Sequence, residues 1–194
     1  MMGASAVVLS LGCVTILSAG PAVAAARAKA PTGTVKCTGV GATIAFNPAL
    51  SPKSTTTKEK KITVSGVTLT GCTVGSTAVT ASSVALKVKL GSGSTASCSS
   101  FATGTTGDQI SMTVKWSSGP PSKVTFPTGA VTVNSSDNGF NAAGGKVTGS
   151  YATSSGAQFD VQLSSTSASA ITACVTGSGT GVSSIQVNQG SSSL

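Results

Sequence analysis

Alternation of apolar and polar residues, turn signals recurring about every 8–12 residues and the lack of a sustained helical period after residue 30 predict an all-β chain. The expected architecture is an antiparallel β-sandwich, immunoglobulin-like or of a related Greek-key kind, with about ten short strands. Ser (33), Thr (28) and Gly (24) dominate the polar part of the 194 residues, yet 39% of the chain is hydrophobic and 21 residues are Val, which places it with folding rather than disordered sequences.

The strands are expected in order at 34–37, 42–46, 61–70 and 77–81. In the third of these the apolar phase moves from Ile62 and Val64 to Val67 and Leu69 across Ser65-Gly66, the mark of a β-bulge. Val84, Leu86, Val88 and Leu90 alternate with Ala85, Lys87 and Lys89, giving the next strand. The clearest pattern is 110–116, with Ile110, Met112, Val114 and Trp116 on one face; it turns at 117–121 and returns through Val124 and Phe126, which reads as a hairpin. A strand follows at 129–134. A second hairpin joins 146–151 to 158–163 through Thr153-Ser154-Ser155-Gly156, with Phe159, Val161 and Leu163 inward and Asp160 outward. The last strands are expected at 171–176 and 182–188. The polar stretch from Lys53 to Lys61 and the Gly/Ser/Thr-rich stretch from Gly91 to Gly107 read as loops.

Residues 6–20 form an apolar run too short to span a bilayer, followed by the small residues Pro21 to Ala26. This reads as a signal peptide, residues 1–26, cleaved near Ala24 to Ala26 to leave one domain over 27–194 and a secreted or envelope-associated protein. The run has no Lys or Arg before it, unlike the usual charged leader. A lipidated Cys13 is disfavoured because Ser10 stands where a lipobox has Leu. No transmembrane span is expected elsewhere. Removing Cys13 leaves Cys37, Cys72, Cys98 and Cys174, an even set in an oxidising compartment, and hence two disulfides. Of the three connectivities, Cys37 with Cys72 and Cys98 with Cys174 is favoured because it closes sequential segments without crossing.

The segments Lys36-Cys37-Thr38-Gly39, Phe46-Asn47-Pro48-Ala49-Leu50, Gly71-Cys72 and Lys115-Trp116-Ser117-Ser118-Gly119, with Cys98 and a late Cys174, resemble a group of secreted Thr/Gly-rich β proteins of Gram-positive bacteria. The resemblance spans nearly the whole mature chain and rests on short structural motifs. It implies export and a β fold, and it carries no functional residues.

With no His, the chain cannot build a Ser-His-Asp or Cys-His apparatus or an imidazole metal site, and no CxxC spacing offers a thiolate one. No metal or cofactor is expected. The carboxylates are Glu59, Asp108, Asp137 and Asp160. A glycan hydrolase needs two of them about 5–10 Å apart, for which Asp108 with Asp137 or Asp160 is the candidate. Turn roles for Asp108 and Asp137 and an outward strand position for Asp160 are the favoured readings, so no catalytic residue is assigned. The oxygen-rich stretch 134–141 holds a single Asp and reads as a turn rather than a Ca²⁺ loop. Trp116, in phase with Ile110, Met112 and Val114, reads as core rather than as a sugar platform.

Net charge is +8, and eleven of the twelve basic residues are Lys. Lysine is a point charge suited to diffuse attraction, whereas base reading favours bidentate Arg, so no nucleic-acid partner is expected. Lys53, Lys58, Lys60, Lys61, Lys87 and Lys89 are the candidates for contact with anionic cell-wall polymers or lipid headgroups. Their competing role is to keep the sheet soluble and its edges unpaired. The functional expectation is a secreted, non-enzymatic structural or binding protein, with a carboxylate-pair hydrolase as the alternative.

Overall fold

The computed structural model describes residues 29–53, 57–102, 107–134 and 138–194. The expected signal peptide, Cys13 and Asp137 lie outside these residues. In chain order the elements are Val35–Cys37 (β1), Gly39–Leu50 (β2), Lys61–Thr70 (β3), Thr73–Val74 (β4), Thr77–Ala78 (β5), Ala81–Lys89 (β6), Cys98–Ala102 (α1), Gln109–Trp116 (β7), Ser122–Phe126 (β8), Val131–Asn134 (β9), Gly139–Gly149 (β10), Ala157–Leu163 (β11), Ser165–Val175 (α2) and Val182–Ser193 (β12).

The chain is all-β and antiparallel as expected, and its strands belong to one connected sheet of 12. The path runs β5-β4-β1-β12-β11-β10-β8-β7-β6, and β12 also pairs with β2, which carries β3 on its other edge. The sheet curls until β3 lies against β6. Curling needs local bends, and β10 supplies one. Its register shifts between Ala142 and Gly145; the first part pairs with β9 and β11, and the part from Lys146 pairs with β8. Glycine is needed here. Gly144 has φ +74°, and a Cβ on Gly145 would sit 2.7 Å from the Phe126 ring.

The expected bulge in β3 is present. Gly41 opposes Thr68 while Thr43 opposes Ser65, so β3 carries an extra residue there, and Gly66 takes φ +61°. The 110–126 hairpin forms with Ile110 opposite Phe126. The second hairpin has a different first arm: β11 pairs with residues 139–145 of β10, while Lys146 to Gly149, expected to pair with 158–163, pair with β8 instead. Trp116 is core: it is 6% exposed, its Nε1 donates to Ser122 Oγ at 2.7 Å, and its ring meets Tyr151 edge-on at 5.0 Å.

The strand expected at 171–176 is instead the end of helix α2, and a second short helix, α1, interrupts the loop expected over 91–107. The reason lies in the start signal. Ser164 caps α2 by accepting from Ser167 N at 3.2 Å, and Ala168, Ala170 and Ala173 favour the helix over a strand. Ser167, Ile171 and Cys174, four and three residues apart, make the inward stripe. Ser167 Oγ then accepts from Gln186 N of β12 at 2.8 Å and ties the helix to the sheet.

Both disulfides form with the expected connectivity, Cys37–Cys72 and Cys98–Cys174. Each sits in its own apolar cluster. The first joins Val35, Met112, Val124, Phe126 and Leu194; the second joins Phe46, Leu50, Val182 and Ile185. In the chain-entropy account, loops of 35 and 76 residues each stabilise the fold by about 4 kcal/mol.

Candidate functional site

Between the two clusters the curled sheet leaves a cavity of about 210 Å³. Its walls follow from period-two alternation. The inward residues of β2, β3, β6 and β7, among them Ile44, Val64, Leu86 and Met112, face Phe126, Phe140, Phe159 and Val161 from β8, β10 and β11. Outward neighbours on the same strands are mostly polar, with Ser, Thr, Lys and Gln prominent, so one pattern gives both a wet exterior and an apolar interior. Phe101 of α1 meets Phe46 and Phe140 edge-on, each at 5.2 Å, and forms part of the wall. Because Cys98 begins α1 and is bonded to Cys174 of α2, the second disulfide holds this wall in place.

Two carboxylates line the same cavity, Glu59 and Asp108, beside Ser94, Thr95 and Ser100. Glu59 stands between Lys58 and Lys60, and extended backbone sends both lysines to solvent and Glu59 inward, where it is 7% exposed. Its main chain is fixed on both sides, Glu59 N donating to the Ser94 carbonyl at 3.1 Å and Lys60 N to the Asn47 carbonyl at 2.9 Å. Its Oε1 accepts from Asn47 N at 2.7 Å. Its Oε2 is buried and has no hydrogen-bond partner among the described residues. Burial raises the Glu59 carboxyl above its ordinary range; the Asn47 N–H partly offsets this, and the charge of Asp108 adds to the rise. Asp108 Oδ1 accepts from Gly91 N at 2.8 Å and from Ser94 Oγ at 2.5 Å. Ser94 therefore touches both acidic residues, by its carbonyl to one and its hydroxyl to the other.

The carboxylate pairing considered from sequence is different from the one found. Asp160 is exposed on the outer side of β11, opposite Asn141 and Ser191, and does not share the cavity with Asp108. Asp137 lies outside the described residues. Glu59 took no part in that pairing, because a single acid inside a run of lysines reads as a solvated loop. The signal that finds it is the burial phase of 58–60, which sequence alone does not mark.

All six candidate lysines, Lys53, Lys58, Lys60, Lys61, Lys87 and Lys89, are exposed. They fall into two groups. Lys87 and Lys89 belong to the outer face of β6, and register adds three lysines that sequence reading did not single out. Lys87 stands opposite Ser111, which opposes Thr125, which opposes Lys146; Thr113 and Thr148 flank Lys123, and Lys115 opposes Ser83. The outward residues of β6, β7, β8 and the second half of β10 thus include five exposed lysines and no carboxylate. Lys53, Lys58 and Lys60 lie instead on the approach to β3, which Lys61 begins.

No helix among the described residues is long and apolar enough to cross a membrane. No family model, curated protein or solved structure matches the chain.

Proposed function

We propose that this is an exported, non-enzymatic binding protein that holds a small apolar molecule inside its curled sheet. The observation that carries this reading is the cavity of about 210 Å³ with aliphatic and aromatic walls. An apolar cavity of roughly 150 Å³ stays dry and binds benzene, so this one is suited to a body of roughly ten carbons. Two disulfides suit an oxidising compartment, which supports export, as do the apolar leader and the resemblance to secreted Thr/Gly-rich β proteins. The hydrolase alternative would use Glu59 and Asp108. It is the weaker reading because a sugar's hydroxyls would lose hydrogen bonds against these walls.

The five-lysine face favours a second, compatible role. Neighbouring strands are about 4.8 Å apart, so the lysine rows form one dense positive surface suited to anionic wall polymers or lipid headgroups. The protein would then present its apolar cargo at the cell envelope.

Titration of the folded protein with naphthalene, followed by NMR of methyl groups, tests the cavity reading. Shifts are expected at Val64, Leu86, Ile110 and Met112, and they should vanish in Ala142→Phe, which fills the cavity from β10. Shifts confined to exterior methyls, or none at saturation, would refute the reading.

A further inference from the structure

The apolar walls explain one part of a ligand, and Glu59 specifies another. Glu59 is 7% exposed and lines the cavity, yet its Oε2 has no partner among the described residues. A buried acceptor left without a donor is costly, and for a charged group the cost is larger. The neighbouring polar atoms are already committed in a way that leaves acceptors in excess. Asn47 N–H is spent on Glu59 Oε1, and Gly91 N–H and the Ser94 hydroxyl are both spent on Asp108 Oδ1.

Charge points the same way. The protein carries +8 overall, but Lys58 and Lys60 beside Glu59 are turned out to solvent. No ion pair reaches Glu59 or Asp108 among the described residues. Two acidic residues therefore line an apolar cavity that, among the described residues, lacks a cation of its own. Metal ions are poorly matched to it, since a hard divalent ion takes six or more oxygens and most of this wall is hydrocarbon. A ligand that supplies several N–H donors and positive charge from one end, and hydrocarbon from the other, matches both halves.

We propose that the cavity binds amphiphilic primary amines, with the ammonium group at the Glu59 carboxyl near Asp108 and a chain or ring system of roughly eight to ten carbons against Val64, Leu86, Met112 and Phe126. This rests on the apolar-cavity reading and adds the head-group chemistry to it. An ammonium gives three donors and neutralises charge, whereas an alcohol gives one donor and no charge, and a carboxylate would bring a third acid to the site. The exterior disfavours amines, because its net charge of +8 repels them, and methyl NMR separates a contact at exposed Asp160 from binding in the cavity.

The test compares n-octylamine, n-octanol and octanoate by calorimetric titration of the folded, oxidised protein, with the binding position followed by methyl NMR. n-Octylamine is expected to bind at least tenfold more tightly than n-octanol, and octanoate more weakly than either. In Glu59→Gln the amine should fall to the affinity of the alcohol, with the alcohol little changed; Asp108→Asn should reduce the amine preference in the same direction. Equal affinity of amine and alcohol in the unaltered protein, or a preference for octanoate, would overturn the proposal without any variant being needed. Octanol bound in the cavity without an amine preference removes only the head-group inference. Failure of octanol and naphthalene alike to enter removes the cavity reading beneath it.

Discussion

At Glu59, folding opposes ionisation. Burial lifts its carboxyl above the ordinary value of 4.5, with Asp108 adding to the rise and the Asn47 N–H partly countering it. A carboxyl whose folded value exceeds its unfolded one binds more protons in the folded state between the two. Its contribution to stability is therefore complete below the unfolded value and is lost as pH rises through the folded one. Glu59→Gln keeps a side-chain carbonyl for Asn47 N–H and removes the charge. Thermal melts should show the variant more stable than the parent near neutral pH, with the gain shrinking towards about pH 4, where the parent carboxyl is protonated. A parent that is more stable at neutral pH would show that Glu59 is satisfied in its ionised form. None of this was legible in Lys58-Glu59-Lys60. The cysteines were legible, because four residues have only three pairings and a non-crossing one suits sequential closure.

Among elements, the strands were the readable part and the helices were not. Alternation at 110–116 and the phase slip at Gly66 describe β7 and β3 directly, since a half-buried strand writes its two faces into sequence. Helix α2 writes little: Ser167, Ile171 and Cys174 are its inward stripe, and its Ser and Thr residues offset the helix preference of Ala168, Ala170 and Ala173. Register was equally hidden. Lys115, Lys123 and Lys146 come beside Lys87 only through the β6-β7-β8-β10 ladder. The face should act as a unit. Reversing Lys87, Lys115, Lys123 and Lys146 to Glu is expected to abolish retention on anionic vesicles, and raising salt from 0.1 M to 1 M should do the same as the Debye length shrinks from about 10 Å to about 3 Å. Each change is expected to alter stability by no more than about 0.5 kcal/mol, so vesicle co-sedimentation can be read apart from folding. Salt-independent retention, or retention that depends instead on Lys53, Lys58, Lys60 and Lys61, would remove this role from the face.

For the molecule as a whole, curling one antiparallel sheet until β3 meets β6 separates two apolar clusters, and each is stapled by its own disulfide. An interior that packed fully would have no space between them. That space is the central claim, because both the apolar cargo and the amine head group depend on it. Xenon enters dry apolar cavities without needing a polar partner, so crystals of the oxidised protein under xenon pressure test it most directly. The expected result is a xenon peak within van der Waals reach of Val64, Met112, Phe126 and Val161, absent from Ala142→Phe. A closed interior with no xenon between the two clusters, at a pressure that fills known apolar cavities, would contradict the account.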